Sequence, residues 1–115
     1  MTTTLYGIKN CDTVQKALKW LHSNGHEHCF HDFRVDGLEA AQLQQWLDVL
    51  GWEGLINKRS TTWKQLSDAE KSALNDKSIL DLILHSPTLI KRPLLDLNGS
   101  ISVGFKAADY QTKFL

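Results

Sequence analysis

Between Thr4 and Phe33 the chain reads strand, helix, strand, and this alternation limits its fold more than any other feature. Thr4, Leu5, Tyr6 and Ile8 make a short apolar run of the kind that forms a buried strand. The run breaks at a turn around Gly7, Lys9 and Asn10, and Cys11 stands at the mouth of a helical segment reaching to about Asn24. In that segment Val14, Ala17, Leu18 and Leu21 recur at spacings of three and four, giving one buried stripe bordered by Trp20, with Lys16 and Lys19 facing away. Asp12 or Thr13 is expected to cap it and to supply negative charge at its first turn. Asn24-Gly25 accepts the left-handed backbone that ends a helix. His28-Cys29-Phe30-His31-Asp32-Phe33 alternates as a second strand. Two strands joined through a helix within about 30 residues form a βαβ unit with parallel strands.

From Gly37 to about Ser86 the pattern turns helical. Ala41, Leu43, Trp46, Leu47 and Leu50 mark an amphipathic helix closed by Gly51, and a polar stretch runs from Leu55 to Lys64. Short helices are expected around Asp68 to Asn75 and Lys77 to His85, the latter burying Ile79, Leu80, Leu82 and Ile83. Trp46, Trp52 and Trp63 read as packing residues of this block. Ser86-Pro87 ends it, and Thr88 to Pro93 leads into Leu94-Leu95-Asp96-Leu97. Asn98-Gly99 is a two-residue hairpin turn, with Ser100 to Phe105 as the returning strand. Lys106 to Phe114 closes the chain as a helix with Ala107, Tyr110 and Phe114 on one side. The fold class is therefore α/β: a βαβ unit plus a C-terminal β-hairpin and helix, the order of a thioredoxin-like sheet, with an all-helical insertion at about 38–86.

At 115 residues this is one domain, long enough to bury a core without staples. Thirteen basic and thirteen acidic residues balance, which argues against a general nucleic-acid binder. The sequence has no apolar run of membrane-spanning length and no signal-peptide pattern at its start, so no membrane partner and a cytoplasmic location are expected. In that compartment Cys11 and Cys29 are not expected to form a structural disulfide. With no CxxC pair, and with His28 alternating to the strand face opposite Cys29 and His31, no metal site is expected, and His26, His28 and His31 read as strand surface.

Cys11 is the candidate nucleophile. A thiol at a helix start faces unpaired N–H groups and the positive end of the helix dipole, and both favour thiolate over thiol. Lys9 adds positive charge nearby. The competing reading is a small buried core cysteine, which suits Cys29 better than Cys11. Three distant pieces are expected at the carboxyl end of the first strand: the Cys11 turn, Asn57-Lys58-Arg59 and Lys91-Arg92-Pro93. Two arginines beside one thiol make an anion site suited to a carboxylate or oxyanion. Pro93 stands where thioredoxin-like folds set a cis-proline before the third strand.

Four pieces, Tyr6-Gly-Ile-Lys-Asn-Cys11-Asp-Thr-Val, Asn57-Lys-Arg59-Ser-Thr-Thr-Trp-Lys64, Ile90-Lys-Arg92-Pro93 and Val103-Gly-Phe105, span nearly the whole length. In them the chain resembles the arsenate-reductase-related ArsC/Spx family of bacteria, close to its YffB-type branch. The resemblance implies a thiol reductase drawing electrons from glutathione, with glutaredoxin completing turnover and a small oxyanion or disulfide as substrate. It implies Cys11 as nucleophile and Arg59 and Arg92 as anion-binding residues, with Lys9, Asn10 and the backbone beside Pro93 available to hold glutathione. It implies no tightly bound cofactor. Arsenate reductases of this type carry a further arginine beyond the one before proline; here no arginine follows Arg92, and Lys106 is the nearest basic substitute. Val14 occupies the place of a CxxC partner, so the thiol that resolves an adduct comes from elsewhere, glutathione before Cys29. A rival within the same resemblance is an Spx-like transcription regulator that binds RNA polymerase.

Overall fold

The computed structural model describes residues 3–114. In chain order it forms β1 (Thr3–Gly7), α1 (Asp12–Ser23), β2 (Cys29–Asp32), α2 (Ala40–Leu55), α3 (Thr61–Lys64), α4 (Asp68–Ser72) and α5 (Asp76–His85). A 3-10 turn at Pro87–Leu89, β3 (Leu94–Leu97), β4 (Ser100–Val103) and α6 (Ala107–Lys113) follow. The residues gather into two compact units: one runs up to Gly37 and resumes at Arg92, the other is Leu38–Lys91. The helical insertion expected at 38–86 thus extends five residues further, because Ile56 bridges to Ile90 and the Lys91 N–H donates to the Leu55 carbonyl at 2.8 Å.

The first unit holds a four-stranded sheet in the order β2-β1-β3-β4. β1 pairs parallel with β2 and antiparallel with β3, and β3 and β4 form an antiparallel hairpin. This is the thioredoxin-like arrangement of strands. The Asn98 and Gly99 φ angles are 52° and 91°, the doubly left-handed backbone of a tight hairpin turn, and the Asp96 carboxylate accepts the Gly99 N–H at 2.8 Å. On one face of the sheet Leu5 and Leu95 bury against Val14, Ala17 and Leu21 of α1 and Tyr110 of α6. Phe30, Leu97, Phe105 and Phe114 pack at the margin. Ala107 is exposed, so α6 docks through Tyr110 and Phe114 alone.

The histidines are not plain strand surface. His26 stacks on Phe114 at 4.3 Å and on Trp20 at 5.4 Å, and His31 lies 4.9 Å from the Tyr6 ring. β2 begins only at Cys29, which leaves His28 outside the strand, its Nδ1 2.9 Å from the His26 carbonyl. Among the described residues no group of three or more His, Cys, Asp or Glu could hold a metal ion.

In the second unit α2 continues past Gly51, where the expected helix end falls. Gly51 sits at φ 71° and ψ 158°, so two helical pieces meet at a kink that only a glycine tolerates easily. Four-residue α3 was hidden in the expected polar stretch; Ser60 caps it by accepting the Trp63 N–H at 3.2 Å. Reciprocal capping boxes start α4 (Ser67 with Glu70) and α5 (Asn75 with Ser78). α5 buries Ile79 and Ile83, while Leu80 and Leu82 are only half-buried, a narrower stripe than expected. Trp46 is fully buried. Trp52 and Trp63 lie 5.9 Å apart, with Lys58 over the first ring and Lys71 over the second. No described helix is long and apolar enough to cross a membrane.

The Tyr110 hydroxyl is buried in the first unit's core with no hydrogen-bond partner among the described residues. Burial pushes this phenol above its ordinary range, and Tyr6 is raised by burial and then by Asp96. A folded phenol that resists ionisation contributes its full stability below the unfolded value near 10 and loses it as pH rises beyond that. Urea midpoints are therefore expected to fall above about pH 10. Tyr110→Phe should flatten that fall and raise neutral-pH stability by about 1 kcal/mol; an equally steep alkaline fall in the variant would contradict the burial account.

Candidate active site

β1 ends at Gly7, and the chain turns through Ile8, Lys9 and Asn10 into α1. Cys11, rather than Asp12 or Thr13, is the N-cap of this helix, with an extended backbone (φ −109°, ψ 123°). Its carbonyl accepts the Gln15 N–H at 2.9 Å, closing the first helical turn. Ser, Thr, Asp and Asn prefer this position because their side-chain oxygen accepts a first-turn N–H. Cys11 makes no such side-chain bond. The first-turn amides, which have no intrahelical acceptor, and the positive dipole end are therefore not taken up by a side-chain cap at this residue. Asp12 still adds a negative charge to that turn, as the sequence implied. The Cys11 side chain is half-buried, leaning on the margin of the core.

Gly7 fixes how closely the helix approaches the strand. A Cβ built there would lie 2.7 Å from Cγ2 of Val14, a residue with no exposed surface. Val14, three residues after Cys11, is thus a wall of the core, where a CxxC protein has its second thiol.

The antiparallel register sets Tyr6 opposite Leu94. Continued by two residues, it sets Pro93 level with Gly7 and Arg92 level with Ile8. The Arg92–Pro93 peptide is cis, and the Pro93 carbonyl accepts the Gly104 N–H at 2.8 Å. Lys9, Asn10, Cys11, Arg92 and Pro93 are accordingly carried to one end of one sheet. Lys9 and Asn10 are exposed there, and Pro93 is buried. Arg59 belongs to the helical unit. It lies exposed in the turn before α3, where its N–H donates to the Asn57 side chain at 3.0 Å. Lys106 is the N-cap of α6 and exposed.

Cys29 is exposed and pairs with Thr4. Gly7 lies three residues further up β1, about 10 Å at strand spacing, and the Cys11 turn lies beyond it. That separation exceeds the reach of a disulfide without backbone movement. The sequence reading missed Asp32 and Gln15. Both bond to the backbone of Lys9, at 3.0 and 2.6 Å. Asp32 signalled itself only as an acidic residue between His31 and Phe33 at a strand end, and Gln15 carried no signal.

A family model described as the ArsC family matches residues 6–113. The chain belongs to the ArsC family. A protein of Haemophilus influenzae is 49% identical to this ArsC-family chain over 111 residues, spanning 96% of this chain and 97% of the other. The solved structure of a YFFB protein is 39% identical, covering 96% and 97% of the two chains with a TM-score of 0.89. The solution structure of an arsenate reductase related protein from Brucella melitensis is 41% identical, covering 99% and 95% with a TM-score of 0.81. A global transcriptional regulator Spx of Lactiplantibacillus plantarum is 29% identical over 104 residues, covering 88% of this chain and 77% of the regulator. The family and the two solved structures give the chain an ArsC-type, arsenate-reductase-like fold.

Gly7→Ala is the direct test of the strand–helix approach. It should destabilise the chain by about 1–3 kcal/mol through overpacking, read as a lower urea midpoint. Adding Val14→Ala should recover part of the loss. An unchanged midpoint for the single variant would mean that α1 is not held at this distance.

Proposed function

We propose that this chain is a glutathione-dependent thiol or oxyanion reductase working through one nucleophilic cysteine. The observation that carries the reading is Cys11 at an N-cap where no side-chain oxygen competes for the helix's first amides, in a chain of the ArsC family. The match to an arsenate reductase related protein supports the reaction class.

With a disulfide substrate, the Cys11 thiolate attacks one sulfur, the S–S bond breaks, and the other sulfur leaves as a thiolate. A glutathione thiolate then attacks the Cys11 sulfur of this mixed disulfide. The attack releases the substrate half reduced and leaves Cys11 joined to glutathione. A second glutathione, or glutaredoxin, attacks the glutathione sulfur and returns the Cys11 thiolate. Two electrons pass to the substrate, and two glutathiones end as one disulfide. Val14 and the placement of Cys29 make an external thiol the economical resolver. Lys9, Asn10 and Arg92 are assigned to the glutathione carboxylates or an oxyanion, and the same anion-binding role is proposed for Arg59. The backbone at Pro93 is assigned to strand-like pairing with the tripeptide. The protein works in the cytoplasm, where reduced glutathione is abundant.

A second reading, a regulator that binds RNA polymerase, draws on the match to Spx. The buried Val14 counts against a CxxC redox switch. Enrichment of polymerase by both the wild type and Cys11→Ser would favour regulation over catalysis.

Glutathione disulfide is expected to add one glutathione at Cys11 and none at Cys29, read by mass spectrometry of wild type and Cys11→Ser. Cys11→Ser should abolish reduction of both a model disulfide and arsenate. Arg92→Ala and Arg59→Ala should each raise the KM for glutathione by about tenfold, the loss of one charge-assisted hydrogen bond. Equal labelling of both cysteines, or activity surviving in Cys11→Ser, would rule the proposal out.

A further inference from the structure

Among the described residues Asp32 is the single buried charged side chain, 7% exposed at the end of β2. Both of its oxygens are engaged by backbone. Oδ2 accepts the Lys9 N–H at 3.0 Å, and Oδ1 accepts the Arg34 N–H at 2.8 Å. Its own N–H donates to Asp36 Oδ2 at 3.0 Å, and the Phe33 N–H donates to the Gly7 carbonyl at 2.9 Å. One carboxylate therefore ties the turn after β1 to the loop after β2. From the other side, Gln15 Nε2 donates to the Lys9 carbonyl at 2.6 Å. The Gln15 main-chain N–H is already on the Cys11 carbonyl.

Lys9 is thus pinned on both flanks: its N–H by Asp32 and its C=O by Gln15. Asn10 alone separates that fixed point from Cys11. The benefit of a helix N-terminus falls away within one turn, and a reacting group displaced by about 1 Å loses much of its rate. We propose that Asp32 and Gln15 are positioning residues for Cys11, holding its sulfur at the helix mouth through the backbone of Lys9. The role rests on the reductase reading above and adds to it the device that fixes the nucleophile.

The geometry also says why a carboxylate is needed. Two backbone N–H groups converge on Asp32, one per oxygen. An asparagine offers one oxygen and one NH2, so one of the two N–H groups would meet another donor. Asp32→Asn therefore keeps the shape and removes one acceptor. Gln15 is exposed, so Gln15→Ala releases the other flank at a site where folding is little affected.

Alkylation of Cys11 and Cys29 by iodoacetamide, followed peptide by peptide in the same molecules, separates positioning from general loosening. Cys29 opens the strand that Asp32 closes, so it reports any fraying of β2. Asp32→Asn should slow Cys11 about tenfold and Gln15→Ala about threefold, with Cys29 within twofold of wild type. The double variant should lose less than the product of the two, because both act on one turn. A Cys11 rate that holds or rises in Gln15→Ala and in folded Asp32→Asn, or a shift matched at Cys29, would overturn the role. Should Asp32→Asn not fold, Gln15→Ala decides alone. Wild-type Cys11 no faster than Cys29 would instead count against the reductase reading, since the variants are scored relative to wild type whatever its starting rate.

Discussion

The space above Gly7 is filled by Val14, and that contact governs the geometry of the first unit. A strand followed after four residues by a helix packed on the same sheet leaves little freedom in the approach of the two. Here the missing side chain sets it: any Cβ would meet Val14 at 2.7 Å. Because α1 sits this close, Val14, Ala17 and Leu21 reach Leu5 and Leu95 directly, and the core closes over one face of the sheet. The same closeness makes the turn between strand and helix short and puts its last residue, Cys11, at the helix mouth. Packing and chemistry in this unit share one cause.

Electrostatics and sheet register then act on a position already chosen by packing. Cys11 takes a cap position without bonding as a cap. A serine there would stabilise the helix more and leave nothing to react. Local helix stability is exchanged for a thiol at the cap position, the kind of local rule broken at functional sites. The antiparallel pairing of β1 with β3 brings Arg92 and Pro93 to the same end, so two segments some eighty positions apart in sequence meet without any loop having to find the other.

Much of this was legible in the sequence because it depends on repeating or local signals. The apolar period of α1, the alternation near β2 and the Asn98-Gly99 turn each report their own conformation, and together they dictate the sheet order. What escaped has no local signature. The cap of α1 was assigned to Asp12 or Thr13 by the usual preference, which Cys11 breaks. The kink at Gly51 looked like an end, since a left-handed glycine stops a helix and joins two helical pieces with the same residue type. The histidines read as surface because stacking partners such as Phe114 lie far away in sequence. Asp32 was invisible for the same reason: its partners are backbone N–H groups, and a main chain carries no residue code. Arg59 was grouped with Cys11 in the sequence reading, and it belongs to the helical unit, whose residues carry no sheet register that ties them to the thiol.

The wall formed by Val14 also has a bearing on time. In a CxxC protein the second thiol clears a mixed disulfide from within, at an effective concentration no dissolved thiol approaches. Here that place is a fully buried valine, and the other cysteine lies toward the opposite end of the strands. Any disulfide formed at Cys11 therefore persists until a thiol arrives from solution, and its lifetime varies inversely with the concentration of that thiol. At a given rate of disulfide formation, the fraction of molecules blocked at Cys11 falls as that thiol becomes more concentrated.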